Sequence, residues 1–497
     1  MPRSDIKLLN NGIIHTFFNP KSVVVIGASK NPMKGGNHIV RNLTQNNFKG
    51  KIYLVNPNAE GELFGLKFEK TVLDIKDNVD IAIFYVGNTL IPGILRECVQ
   101  KGIKGAIIES SGFEEVGKHG LELKDEIVKI TDNFSKIRII GPNCLGLSKI
   151  DGDSDSKGDE RGGLFTGFAY FNNYKRGNIA IITQSGTLNG GYLGHQMEAY
   201  PDTGYRYSCA IGNKMDLDET YFLEYMLEDP SVNVVAMYLE SFKDPRKFIE
   251  LCRRARNKKK TIILAKGGLT SQGQKATQSH TGSLAENSQL IDAIIKQSGV
   301  IKASGFHDLF QFARTFSMMY ETEKILPEKG NVCTITGSGG FGTVLADLTK
   351  LNGLNFPNLG DIAFNALEEI YPTWMPPNRF ALLDIWPAIE KGLSKKLTGG
   401  DIIKSCYDIV VNEPNIEGIF INMFCAKGGM WSIDKIIEDS MATSKPIFVN
   451  LIGDPREIKR VSRKLNKNKI PNFLNLEEMV KNFSILFQES KNKSKEY

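Results

Sequence analysis

Ser22-Val23-Val24-Val25-Ile26-Gly27-Ala28-Ser29 decides the fold. An apolar run closes on a glycine turn, and a helix-length segment follows it. The same order of strand, turn and helix recurs along the chain, which predicts parallel sheets with helices on both faces, an α/β fold. In the first block the further strands are Lys51 to Val55, Ile81 to Val86, Gly105 to Ile108 and Arg138 to Gly141. They outline a Rossmann-like domain over residues 1–150. The polar stretch Asp151 to Glu160 then reads as a linker or a surface loop.

A second block, 175–325, opens with Asn178-Ile179-Ala180-Ile181-Ile182 and continues through Tyr205 to Ala210, Val234 to Leu239 and Thr261 to Ala265. A third, 330–497, opens at Asn331-Val332-Cys333-Thr334-Ile335-Thr336. Its later strands are expected at Gly418 to Asn422 and Pro446 to Leu451, with a helix near Asn475 to Phe487. The length, 497 residues, agrees with roughly three domains.

Composition narrows the function classes. With 41% apolar and 24% charged residues, the chain has the make-up of a soluble globular protein. A net charge of +6 is small for this length. Basic clusters such as Lys258-Lys259-Lys260 lack interleaved aromatic residues, so they read as solvated faces and not as nucleic-acid sites. No apolar run approaches membrane-spanning length, and Met1 to Asn11 has no signal-peptide core, so no membrane is expected and the location is cytoplasmic. The seven cysteines form no CxxC pair and no metal-ligand cluster, which predicts reduced thiols and no metal site.

The turns carry the chemistry. Gly27-Ala28-Ser29-Lys30-Asn31-Pro32-Met33-Lys34-Gly35-Gly36 is a strand-to-helix turn whose N–H groups suit a phosphate, with Lys30 and Lys34 to offset its charge. A dinucleotide enzyme places a carboxylate at the end of its second strand, whereas here that strand ends Val55-Asn56-Pro57-Asn58. NAD is therefore disfavoured against another phosphate-bearing adenine nucleotide. The second block repeats the device in Thr183-Gln184-Ser185-Gly186-Thr187, with Ser185 or Thr187 as helix cap. Gly190, Gly191 and Gly194 follow inside that helix and imply either tight packing or anion approach. The third block repeats it again in Thr336-Gly337-Ser338-Gly339-Gly340.

Past the strand Thr261 to Ala265 comes Gln278-Ser279-His280-Thr281-Gly282-Ser283. A histidine among small hydroxyl and glycine residues is expected in a mobile loop, its imidazole free to take and release a phosphoryl group near neutral pH. Two helix N-termini would stabilise that group. Glu240 closes the strand Val234 to Leu239, at the carboxyl edge where such sheets bind ligands. A carboxylate there suits the role of orienting the His280 ring.

Taken together, Phe18-Asn19-Pro20-Lys21-Ser22-Val23, Val25-Ile26-Gly27-Ala28-Ser29, Gly141-Pro142-Asn143-Cys144-Leu145-Gly146, Gln184-Ser185-Gly186-Thr187, Tyr238-Leu239-Glu240 and Ser279-His280-Thr281-Gly282 keep one order over nearly the whole chain. In this the chain resembles the α subunit of the nucleoside-diphosphate-forming acyl-CoA synthetases. The resemblance implies a Rossmann-like CoA-binding domain followed by two flavodoxin-like domains. It implies CoA contacts at Gly27, Ala28, Ser29, Lys30, Pro32, Lys34, Asn56, Pro57 and Asn143. Phosphate contacts are implied at Ser185, Gly186, Thr187, Gly339 and Gly340, phosphohistidine chemistry at His280 with Glu240, and a packing role for Cys144. It further implies acyl-CoA or carboxylic acid and phosphate as substrates. The partner would be an ATP-grasp β subunit carrying the Mg-nucleotide (ADP or ATP), in a heterotetramer. The chain departs from the family pattern at Pro376-Pro377-Asn378-Arg379-Phe380, at Ala285-Glu286 and in the acidic stretch Asp151 to Glu160. Two other functions share the pattern: an acyl-CoA-binding regulatory protein without turnover, and an acyl or carbamoyl transferase that needs no nucleotide.

Overall fold

The computed structural model describes residues 12–156, 162–171, 173–281, 287–429 and 431–494, with the side chains of 279–281 outside that description. The chain divides into two compact units, one up to Ala313 and one from Arg314.

In the first unit, β1 (Ser22–Ile26) is buried at every position, as its unbroken apolar run requires. Around it stand β2 (Lys51–Val55), β3 (Glu62–Leu63), β4 (Leu66–Glu69), β5 (Ile81–Phe84), β6 (Gly105–Ile108) and β7 (Arg138–Ile140). Their order is β3-β4-β2-β1-β5-β6-β7, all parallel but for the short β3. From β4 onward this is the Rossmann order, with its reversal between β1 and β5.

The second sheet contains β8 (Leu147–Ile150), β9 (Gly163–Phe165), β10 (Arg176–Thr183), β11 (Tyr205–Ala210), β12 (Val234–Leu239), β13 (Thr261–Lys266) and β14 (Ile301–Ala303). Its order, β14-β13-β12-β10-β11-β8-β9, puts the five parallel strands in the 2-1-3-4-5 sequence of flavodoxin-like sheets, reversing between β10 and β12. Leu147–Ile150, read from sequence as the end of the first domain, instead pairs antiparallel with β11 in this sheet. Asp151 to Ser156 is accordingly a connection between β8 and β9 and not a linker between domains. Arg206 and Lys149 hold the Asp151 carboxylate at 2.9 and 3.1 Å.

The two sheets of this unit share one core. Phe17, Phe18, Val23 and Ile83 pack in the same buried cluster as Ile182, Tyr207, Phe222 and Met237. The Phe18 ring stacks on Tyr225 at 5.4 Å and tilts against Tyr207 at 4.7 Å. A bidentate pair adds to the joint, with Arg138 Nε and Nη2 donating to the Asp216 carboxylate at 2.9 and 2.8 Å.

The second unit holds β15 (Val332–Thr336), β16 (Leu382–Asp384), β17 (Gly418–Cys425), β18 (Ile447–Gly453) and β19 (Asn472–Phe473). All are parallel, in the order β16-β15-β17-β18-β19, a second 2-1-3-4-5 sheet over its own core. Two of its strands, β16 and β19, are so short that their apolar runs were not legible in the sequence.

Candidate active site in the first unit

A cleft of about 1900 Å³ opens at the carboxyl ends of both sheets in the first unit. Gly27, Ser29, Lys34, Asn56 and Pro57 line it from one side, and Gln184, Ser185, Gly186 and Thr187 from the other. Asn143 also lines it. The first sheet reverses its strand order where the ends of β1 and β5 line the cleft, the position at which such folds bind ligands, and the second sheet meets the cleft at the end of β10.

The first turn has no room for a side chain. Gly27 has φ +89°, and a Cβ there would come within 2.1 Å of the Tyr85 carbonyl oxygen. A Cβ on Gly36 would meet the Gly27 carbonyl at 2.1 Å, so the helix Gly35–Gln45 begins pressed against the turn. Asn56, in the place of a dinucleotide enzyme's carboxylate, donates from Nδ2 to the Ala28 carbonyl at 2.8 Å. That bond joins the ends of β1 and β2 and places a neutral amide where ribose hydroxyls would need an acceptor. Ala28, Lys30 and Pro32 do not line the cleft. Ala28 is fully buried, Lys30 extends toward Gly61, and the Pro32 carbonyl sits 2.7 Å from His38 Nε2.

The second turn is an N-terminal helix cap. Ser185 Oγ accepts from the Leu188 N–H at 3.3 Å, and Thr183 Oγ1 accepts from the Ser185 N–H at 2.9 Å. The backbone is helical from Gly186 and widens into a π turn over Leu188–Tyr192, a distortion frequent at functional sites. The glycines there serve different ends. A Cβ on Gly190 would strike Leu145 Cδ2 at 2.4 Å, whereas one on Gly191 would meet nothing within 4 Å.

Two carboxyl groups close apolar strands in this unit. Glu109 follows β6, lines the cleft and is 6% exposed. Its burial holds the carboxyl well above the usual carboxylate range, with only the Phe168 N–H opposing. Sequence reasoning passed over Glu109, although Gly105-Ala106-Ile107-Ile108-Glu109 has the same apolar-strand-then-acid form as Val234 to Glu240. Cys144 also lines the cleft, and burial pushes its thiol far up, so it carries no thiolate there. Glu240, buried at the end of β12, sits behind the second turn. Gln184 Oε1 accepts from its N–H at 2.6 Å, and the Tyr238 hydroxyl donates to its carboxylate at 3.3 Å.

His280 was expected in a loop, but its backbone lies in the last turn of the helix Ser271–Thr281. The physical reason is local: Gln272, Lys275, Ala276 and Gln278 are good helix formers, and Thr270 Oγ1 caps the start by accepting from the Gly273 N–H at 3.1 Å. That helix lies against the turn Glu114–Val116, which follows the cleft-lining segment from Glu109. The His280 side chain, Gly282, Ser283, Ala285 and Glu286 lie outside the described residues. Gly339 and Gly340 belong to the second unit, where they open the helix Gly339–Leu351 after Ser338. Asp384 Oδ2 stands beside Gly339, 3.2 Å from where its Cβ would be, so an anion at that turn would meet a like charge.

Residues 21–149 match the family described as a CoA binding domain, and residues 176–316 match the succinyl-CoA ligase like flavodoxin domain. Acetate–CoA ligase (ADP-forming) I subunit alpha of Pyrococcus furiosus is 32% identical over 498 residues, covering 97% of this chain and 99% of that relative. The chain belongs to the ADP-forming acetate–CoA ligase family. Another family member, acetate–CoA ligase (ADP-forming) II of Archaeoglobus fulgidus, is 35% identical over 377 residues, 76% of this chain and 53% of the relative. The chain spans about half the length of that ligase and of the Methanocaldococcus jannaschii one, 53% and 46%. Among solved structures, the acetyl-coenzyme A synthetase 1 of Ca. Korarchaeum cryptofilum in complex with phosphate and ADP aligns with a TM-score of 0.81 at 28% identity, covering 97% of each chain. The three-sheet α/β architecture is thus the family's. Among the described residues no helix is long and apolar enough to cross a membrane.

Proposed function

We propose that this chain is the CoA-binding, phosphohistidine-bearing subunit of an ADP-forming acyl-CoA synthetase. It interconverts acyl-CoA, phosphate and ADP with a carboxylic acid, CoA and ATP. The observation that carries this reading is the single cleft lined by Gly27, Ser29 and Lys34 and by Ser185, Gly186 and Thr187. A CoA phosphate on the first turn leaves the thioester end within one cavity with a phosphate on the second, and both turns offer N–H groups to anions.

In the acyl-CoA-consuming direction a phosphate oxygen attacks the thioester carbonyl, the carbon–sulfur bond breaks, and acyl phosphate forms. The departing sulfur needs a proton, and Glu109, held neutral by burial, is suited to supply it. A ring nitrogen of His280 then attacks phosphorus and the carboxylate leaves. Glu240 orients the ring and offsets the positive charge of the phosphorylated imidazole. The phosphoryl group passes to ADP on a separate nucleotide-binding subunit of ATP-grasp type, which holds the Mg-nucleotide in a heterotetramer with this chain.

The test is phosphoenzyme formation. The chain assembled with its partner and given labelled ATP should carry an acid-labile, base-stable phosphate, and His280→Asn should carry none. Label retained in His280→Asn overturns the assignment. Acyl transfer from acyl phosphate without a nucleotide subunit would point instead to a transferase.

A further inference from the structure

Glu240 sits on a turn that is tied down from every side. Gln184 Oε1 accepts from the N–H groups of both Glu240 and Ser241, at 2.6 and 3.0 Å. Lys266 Nζ donates to the Glu240 carbonyl at 2.7 Å. Lys214 Nζ donates to the Ser241 carbonyl at 2.7 Å, and Glu219 Oε1 accepts from the Lys243 N–H at 3.0 Å. Lys214 and Glu219 also meet each other at 2.8 Å, with side chains 1% and 0% exposed.

A buried ion pair is a poor way to gain stability. Taking both charges out of water costs several kcal/mol per ion, and well-packed apolar substitutes are often as stable or more so. Here, however, each partner also bonds the backbone of one turn, two and four residues beyond the end of β12. Neither side chain lines the cleft; Lys214 follows the cleft-lining Asn213, and Glu219 opens the helix Glu219–Glu228 that carries Phe222 and Tyr225 of the shared core. Its directional reach is toward Ser241 and Lys243.

We propose that the buried Lys214–Glu219 pair, together with Gln184, consists of positioning residues that hold the Glu240 turn in the geometry needed for phosphoryl transfer. The proposal rests on Glu240 serving His280 as described above. Gln184 is also the residue between the two sides of the device: it follows β10 directly, lines the cleft, and leads into the Ser185-Gly186-Thr187 turn. The phosphate turn and the Glu240 turn are thereby set in register across the strand reversal of the second sheet.

Two variants of the full chain, assembled with its nucleotide-binding partner, separate positioning from stability. Glu219→Gln leaves the Lys214 ammonium buried without its counter-charge but keeps its bond to Ser241. Adding Lys214→Met removes the stranded charge and the bond together, while the glutamine still accepts from the Lys243 N–H. The double variant is expected to melt above Glu219→Gln and yet to be phosphorylated more slowly than it. Its rate should fall about ten- to a hundredfold below parent, the scale of a misplaced group. Its CoA affinity should stay within about twofold of parent, because neither side chain lines the cleft. Phosphorylation rates that simply follow the melting temperatures, or a double variant as fast as the parent, overturn the inference. If the parent itself takes no label on His280, the proposed function fails and this inference falls with it.

Discussion

Glu109 and Glu240 both end an apolar strand with a carboxyl group, and their surroundings set them apart. Glu109 faces the cleft with the Phe168 N–H as its one opposing influence, so desolvation dominates and its proton is held to high pH. This has a measurable sign. The folded-state pKa lies above the unfolded one, so the fold binds the extra proton and is favoured at low pH; that advantage is lost as pH rises through the folded pKa. Glu109→Gln removes the titration. Its melting temperature relative to parent should therefore rise between pH 5 and pH 8 in thermal melts without CoA, and a constant difference would mean that the carboxyl ionises as it does in water.

At the scale of elements, the π turn after Ser185 gives a sharp contrast between adjacent glycines. Gly190→Ala must push aside Leu145 and Ala169, whereas Gly191→Ala enters open space and gains helix propensity. Chemical denaturation should show Gly190→Ala destabilised by about 1–3 kcal/mol, the cost of overpacking. Gly191→Ala should be neutral, or more stable by up to about 1 kcal/mol. The sequence alone left those glycines as a single puzzle, because the residues that decide it, Leu145 and Ala169, arrive from a distant segment. The same limit explains the other departures. Long apolar strands such as Val234–Leu239 were legible residue by residue, and so were the turns that follow them. Leu147–Ile150 looked like a continuation of the first block because its pairing partner, β11, lies far along the chain. The helix holding His280 has no apolar face to announce it; small and glycine residues nearby outweighed a modest run of helix formers.

For the whole molecule, the shared core makes the first two sheets one body whose cleft has a fixed shape. Phe18 is 1% exposed and touches aromatic rings of the second sheet from the first domain's side. Phe18→Ala should cost about 3–5 kcal/mol and weaken CoA binding without touching the site. Calorimetry should find that CoA, and not NAD, raises the melting transition of this body in the parent chain. Stabilisation by NAD alone would reverse the reading of Asn56. All seven cysteines are free and buried, and burial pushes the thiols of Cys98, Cys144, Cys209, Cys252, Cys333, Cys406 and Cys425 above their ordinary value. A disulfide dye stirred into the native protein should therefore stay nearly colourless, so that any yellow developing during turnover reports the sulfur of released CoA, second by second, against a silent background.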